Sequence, residues 1–376
     1  MKKTLIIFGT RPEAVKLAPL VKKIESYPDR FQSVVCVTAQ HRQMLDQVLN
    51  LFKIKPHYDL DIMKPDQTLF DVTCNALIGL KTVLEKERPD IILVQGDTTT
   101  TFVAGLAAFY LKIPVGHVEA GLRSFDKFRP YPEEINRKIT SHIADLHFAP
   151  TQKSRENLLR EGIDERKIWV TGNTVIDALL MVAEQVSGNT HKWDSFFSEM
   201  WGGAFHDKRI ILITGHRRES FGEGFQRICH AIKRIALDHK DLMLIYPVHL
   251  NPNVQEPVKN ILGGIGNIHL IEPLDYEPFV YLMTKSHIIL TDSGGIQEEA
   301  PSLAKPVLVM RDVTERPEAV EAGTSKLVGT DVAKIISETE RLLTDNEYYQ
   351  KIIHTRNPYG DGKASERIVE TLQNVL

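Results

Sequence analysis

The stretch Leu290-Thr-Asp-Ser-Gly-Gly-Ile-Gln-Glu-Glu-Ala-Pro301 (LTDSGGIQEEAP) changes character halfway along. The apolar run His287–Leu290 reads as a buried strand, Ser293-Gly294-Gly295 as a turn of small residues, and Ile296–Leu303 as a helix. Such a turn presents backbone N–H groups to an anion with no side chain in the way. Glu299 follows about one to two helical turns on, at a reach suited to a ribose diol. The competing reading makes Ser293 an ordinary N-cap.

The same strand–turn–helix unit recurs on both sides of this stretch. Thr4–Phe8 (TLIIF), Ser33–Thr38 (SVVCVT), Asp90–Val94 (DIILV), Pro114–Val118 (PVGHV) and Leu146–Ala149 read as buried strands. Amphipathic stretches over Glu13–Tyr27, Arg42–Phe52, Leu69–Lys86 and Thr99–Tyr110 lie between them. A second set comprises Arg209–Thr214 (RIILIT), Leu242–Tyr246, Ile268–Ile271, His287–Leu290 and Pro306–Met310. Helices over Gly224–Leu237, Tyr276–Thr284, Ile296–Leu303 and Val332–Leu343 separate these. Near-continuous apolar strands alternating with helices predict parallel sheets covered on both faces. Val186–His206, polar and aromatic, reads as a surface excursion between the sets. Two doubly wound α/β domains are expected, 1–171 and 172–362, divided near Thr171-Gly172-Asn173. A final helix over 363–376 follows Pro358-Tyr359-Gly360-Asp361-Gly362. Ligands of open parallel sheets bind beyond the carboxyl ends of the strands, where the informative residues of this chain cluster.

Composition narrows the function. A length of 376 residues suits two or three domains, and 42% hydrophobic with 25% charged residues is ordinary for a globular protein. A net charge of −3 without long runs of one sign argues against a surface that tracks nucleic acid. Cys36, Cys74 and Cys229 have neither CxxC pairing nor disulfide-framework spacing, which predicts reduced thiols in a cytoplasmic protein. The apolar run after Met1-Lys2-Lys3 is too short for a signal peptide, and no stretch approaches the ~18–20 apolar residues of a membrane span. The dinucleotide fingerprint, the Walker loop, the HExxH zinc motif and the GxSxG elbow are all missing. Any phosphate site therefore draws on the SGG turn and on arginines.

In the first domain, FGTRPEAVK (Phe8–Lys16) ends a strand and starts a helix, placing Arg11 and Lys16 where an anion is favoured. The plain alternative is a pair of surface cations. QGDTTTT (Gln95–Thr101) puts Asp97 at a strand end. Four threonines are poor helix formers, which points to a loop selected for hydroxyl contacts; the alternative is a simple N-cap. GHVEAGLRS (Gly116–Ser124) sets Glu119 beside small residues that leave room for a ligand, unless it pairs with Arg123. RPYPEEINR (Arg129–Arg137) starts a helix at Pro132, with Glu133 in its first turn. There Glu133 either serves a ligand or complements the helix dipole and pairs with Arg137.

In the second domain, ILITGHRRES (Ile211–Ser220) places His216 just past a strand, a suitable proton carrier, beside Arg217 and Arg218. YPVHLNPNV (Tyr246–Val254) places His249 similarly, although Asn251-Pro252 there also serves as a helix start. Arg316, in RDVTERPEAVEAGT, either closes on a diphosphate or pairs with Glu315 or Glu318.

With these segments in order, and with TAQHRQMLDQ, GNTVIDAL and NPYGDG among them, the chain resembles the bacterial non-hydrolysing UDP-N-acetylglucosamine 2-epimerases over nearly its whole length. The resemblance implies a GT-B fold: two Rossmann-like doubly wound parallel-sheet domains with an interdomain active-site cleft, the last helix returning to the first domain. It implies a homodimer working without NAD or metal. Arg11, Lys16, Asp97, Glu119, His216, Phe279, Ser293, Gly294, Gly295, Glu299 and Arg316 would bind the UDP-sugar. Asp97, Glu119, Glu133 and His216 would be catalytic. Gln40, Gln43, Glu133, Arg217 and His249 match a second, activating UDP-N-acetylglucosamine site.

The implied reaction inverts C2 by eliminating UDP to give 2-acetamidoglucal, then adding UDP back with a proton on the opposite face. Departing diphosphate calls for cations and N–H groups placed beforehand, and the two faces of C2 call for separate acids and bases. A UDP-sugar-dependent GT-B glycosyltransferase, a hydrolysing epimerase releasing N-acetylmannosamine, and a non-catalytic nucleotide-sugar sensor are the competing readings.

Overall fold

A computed structural model describes every residue except Gln40, His41, Pro65 and Gly203, and all side chains but those four and Arg42, Gln43, Ala204 and His206. The effector contact expected of Gln40, and the side chain of Gln43, lie outside the described residues.

The chain divides into two compact units, Met1–Ala178 with Tyr359–Leu376, and Leu179–Pro358. The first is built on strands β1 (Lys2–Phe8), β2 (Phe31–Val37), β3 (Tyr58–Asp59), β4 (Ile91–Gln95), β5 (Val115–Val118), β6 (Leu146–Ala149) and β7 (Ile168–Val170). They form one parallel sheet in the order β3-β2-β1-β4-β5-β6-β7. The second is built on β8 (Arg209–Thr214), β9 (Leu242–Pro247), β10 (Ile268–Ile271), β11 (Ser286–Thr291), β12 (Val307–Val309) and β13 (Ser325–Leu327). Its parallel order is β10-β9-β8-β11-β12-β13. In each unit the order reverses beside the first strand, between β1 and β4 and between β8 and β11. Loops leaving such a pair diverge to opposite sides and open a crevice at the carboxyl ends.

The strands that flank those crevices are apolar throughout because helices cover both faces. Leu5–Phe8, Ile91–Val94, Ile210–Ile213 and Ile288–Leu290 have at most 2% of their surface exposed. Each such side chain removed from water contributes on the order of 1.5–3 kcal/mol, so these strands fix the register that aims the loops. The sequence reading missed β3, β7 and β13. Each has two or three residues at or near a sheet edge, too few for a periodic signal.

Val186–His206 is not the surface excursion expected. The helix Thr174–Gly188 covers its start, and a further helix spans Thr190–Trp201. Trp193, Phe197 and Trp201 recur every four residues, which places them on one helical face. Phe197 is fully buried, stacked 5.5 Å from Tyr281 and 5.2 Å from Trp201. The polar residues around these aromatics masked the helical spacing. The last helix, Ala364–Val375, belongs to the first unit. Asp177 accepts the backbone N–H groups of Ala364 and Ser365 at 3.1 and 2.7 Å, and Tyr359 O accepts that of Asn173 at 2.7 Å. Among the described residues no helix is long and apolar enough to cross a membrane.

Candidate active site

The loops after β1 and β4 are tied together by Glu13, which is buried in the first turn of the helix Arg11–Glu25. Its carboxylate accepts the N–H groups of Gly9 and Thr10 at 3.1 and 2.8 Å, and the hydroxyls of Thr10, Thr98 and Thr101 at 2.8, 2.7 and 3.1 Å. Burial raises its pKa, and these hydrogen bonds work the other way. The threonine run is thereby explained differently from the sequence reading. Thr98 also caps Thr101 N at 3.1 Å, Thr101 donates to Gln95 O at 2.6 Å, and Thr100 meets Thr38 at 3.0 Å. Three of the four hydroxyls thus hydrogen-bond within the unit. Arg11 opens the same helix, half-buried.

Glu119 lies just past β5. Its backbone has φ +63°, a left-handed conformation uncommon outside glycine, and such residues persist only where their surroundings over-determine them. Lys16 Nζ donates to its two oxygens at 2.6 and 2.8 Å, Asn173 Nδ2 donates at 2.8 Å, and Gln95 Nε2 donates from the end of β4. Lys16, expected as a diphosphate contact, therefore carries its ammonium on Glu119. Arg123 pairs with Glu161 at 2.6 Å, which removes the pairing that would have made Glu119 a plain helix acid. His117 Nε2 lies 2.7 Å from Gly96 O, bracing the turn before Asp97.

Asp97 and Glu133 are joined through one helix. Arg137, on the helix Glu133–Ile143, donates to the Asp97 carboxylate, and Asn136 Nδ2 donates to the Asp97 carbonyl at 3.0 Å. Arg137 also lies 3.4 Å from Glu134, so it does not serve Glu133 as the sequence allowed. Glu133 Oε2 is buried without a hydrogen-bond partner among the described residues. The adjacent acids differ in role: Glu134 is fully buried and accepts Ser124 N and Phe125 N at 3.0 and 3.1 Å. Glu134 holds a loop, and Glu133 retains a free oxygen.

In the second unit the SGG turn follows β11 as expected, with Ser293 at the N-cap of the helix Gly294–Glu299. Beside Gly294, a Cβ placed on its backbone would sit 3.6 Å from the Arg316 guanidinium carbon and 3.8 Å from Arg217 Nη2, both ordinary van der Waals contacts. Two cations thus converge over the turn. Arg316 Nε donates to the Glu298 carboxylate. Arg217 has its Nε buried without a partner among the described residues. Gly295 lies next in the turn, and Glu299 is buried, with Tyr276 Oη 3.4 Å from its carboxylate. Phe279 is half-buried on the helix Tyr276–Lys285. His216 stacks on His249, ring centres 5.2 Å apart and 12° from parallel. Burial pushes His216 below its ordinary 6.5, with Asp292 pulling the other way.

Glu13, Gln95, Arg137, Asn173, Asp292 and Glu298 were within quoted motifs but received no ligand-site role from the sequence. Glu13 joins two loops and each of the others acts on a candidate site residue distant in sequence, and only proximity in space reveals that.

The chain also resembles known proteins from end to end. The family model described as UDP-N-acetylglucosamine 2-epimerase matches residues 22–373. The UDP-N-acetylglucosamine 2-epimerase of Yersinia pestis is 60% identical over 372 residues, 99% of this chain and 98% of that protein. The crystal structure of the Neisseria meningitidis UDP-GlcNAc 2-epimerase bound to UDP-GlcNAc matches with TM-score 0.89 and 54% identity, over 99% of this chain and 100% of that one. The Methanocaldococcus jannaschii UDP-GlcNAc 2-epimerase, crystallised with UDP-GlcNAc and UDP, matches with TM-score 0.79 and 38% identity over 99% of each chain. Together with the two all-parallel sheets, these matches place the fold in the GT-B class that the sequence implied. The chain belongs to the UDP-N-acetylglucosamine 2-epimerase family.

Proposed function

We propose that the chain interconverts UDP-N-acetylglucosamine and UDP-N-acetylmannosamine, as a cytoplasmic isomerase, by eliminating UDP to 2-acetamidoglucal and adding it back. The observation that carries the reading is a set of three acids: Glu119 under three donors and Asp97 on Arg137 at neighbouring strand ends, and Glu133, with an unpaired buried oxygen, opening the helix that carries Arg137. Inversion at C2 needs a group to take a proton from one face and another to supply it on the other.

In this reading the first unit handles the sugar and the second the nucleotide. Arg217, Arg316, His216 and the N–H groups of Gly294 and Gly295 stabilise the diphosphate as the C1–O bond breaks. Ser293 and Phe279 complete the nucleotide contacts, and Glu299 takes the ribose diol. Arg11 adds charge from the first unit, while Lys16 acts through Glu119. The C2 proton leaves to one carboxylate as the C–O electron pair goes to UDP. The C2–H pair becomes the C1=C2 double bond; on re-addition a UDP oxygen re-forms the bond to C1 while that π pair takes a proton at C2 from the opposite face, so atoms and charge balance without a redox step.

The reading extends to a homodimer and to a second UDP-N-acetylglucosamine acting as activator. Exposed Phe70, Ile78, Phe109, Tyr110, Ile135 and Ile139 on three neighbouring helices support a protein-covered face. Arg217 and His249, both beside His216, would take the effector together with Gln40, Gln43 and Glu133. Proton NMR of UDP-N-acetylglucosamine with the enzyme in deuterated water tests the reaction. UDP-N-acetylmannosamine deuterated at C2 is expected. Free N-acetylmannosamine would mean a hydrolysing enzyme, and no change without an added acceptor would mean a glycosyltransferase.

A further inference from the structure

Asp292 lies between β11 and the SGG turn, fully buried. Its Oδ2 accepts the backbone N–H groups of His216 and Arg217 at 2.7 and 2.8 Å. Its Oδ1 is buried without a hydrogen-bond partner among the described residues and stands 3.5 Å from His216 Nδ1. A carboxylate oxygen in that position is costly unless a donor turns toward it, and the imidazole beside it can be that donor.

The frame around the pair is stiff. β8 and β11 are hydrogen-bonded neighbours with Thr214 opposite Thr291, and their hydroxyls meet at 2.6 Å. Tyr246 Oη donates to Gly215 O at 2.8 Å, fixing the backbone just before His216. His249 stacks on the imidazole ring. A ring clamped this way keeps one nitrogen toward Asp292.

We propose that Asp292 is a positioning residue for His216: Oδ1 selects the tautomer protonated on Nδ1 and leaves Nε2 as the atom that exchanges a proton or hydrogen-bonds the departing diphosphate. The proposal rests on the role given to His216 above. It is the logic of a carboxylate that orients an imidazole and stabilises its cationic form. The groups that act on His216 are Asp292 from the end of β11, His249 from the end of β9 and Arg217 from its own loop. Of these Asp292 alone favours the charged ring, against burial, His249 and Arg217.

Histidine-ring NMR of the intact protein, with His216 assigned by its disappearance in His216→Asn, tests this. Neutral His216 is expected to carry its proton on Nδ1. Asp292→Asn keeps an acceptor for the two backbone N–H groups but removes the charge. The His216 midpoint is then expected to fall by about one pH unit or more, and kcat by roughly 10²-fold. An Nε2–H tautomer in the unsubstituted protein, or an unmoved midpoint in Asp292→Asn, overturns the proposal. Should Asp292→Asn not fold, the tautomer alone decides. Full turnover by His216→Asn would instead overturn the role of His216, and the ring measurement would still report on Asp292.

Discussion

At the scale of single residues, adjacent acids in one motif carry different burdens. Asp97→Asn and Glu119→Gln are expected to lower kcat by about 10²–10⁴-fold while substrate still binds, because each removes a proton carrier and little volume. Steady-state kinetics with a separate UDP-N-acetylglucosamine binding measurement checks this. Glu134→Gln weakens the acceptors of two backbone N–H groups, and its effect belongs in stability, about 1–3 kcal/mol in denaturant unfolding. Buried histidines add a pH signature. Burial depresses His117 to about 4 and His147 to about 3, against 6.5 for an ordinary imidazole. Below 6.5 the unfolded chain takes up protons that the folded chain refuses. Stability from these rings is therefore complete above pH 6.5 and declines as pH falls toward 4. The thermal midpoint should drop between pH 7 and pH 4.5, and His147→Gln should flatten that slope.

At the scale of elements, loops at the strand ends are held from within. The helix starts at Thr10 and Thr98 share the Glu13 carboxylate, so two crevice-lining loops move as one piece. Asn173 ties Glu119 to the Tyr359 carbonyl, coupling a proposed proton carrier to the segment that leads into the last helix. The aromatic helix Thr190–Trp201 does for the second unit what apolar strands do elsewhere. Phe197 is fully enclosed by Tyr281, Trp201 and Phe205. Phe197→Ala should cost about 3–5 kcal/mol through the cavity it leaves, read as a lower urea midpoint. An unchanged midpoint would mean that the cluster is peripheral.

At the scale of the whole molecule, two sheets of the same winding divide the chemistry by charge. Asp97 and Glu119 follow strands of the first unit, and His216, Arg217 and the SGG turn follow strands of the second. The exposed apolar side chains on the first unit bear on assembly. A chain of 42.6 kDa is expected to run at twice that mass by light scattering. Ile78→Glu combined with Phe109→Glu should return it to monomer, since a charge buried in an interface is costly.

Much of this was legible in the order of residues. Apolar strands long enough to be buried, and glycine-bearing turns at their ends, depend on local sequence alone. They sufficed for the two doubly wound units, the SGG turn and the acids at the strand ends. The partners were decided only by folding. Lys16 met Glu119, Arg137 met Asp97, Arg316 met Glu298 and Asp292 met His216, each against a nearer candidate or with none in view. Charges pair with what the sheet register brings within a few ångströms, and register sums packing over the whole unit, which no short stretch of sequence contains.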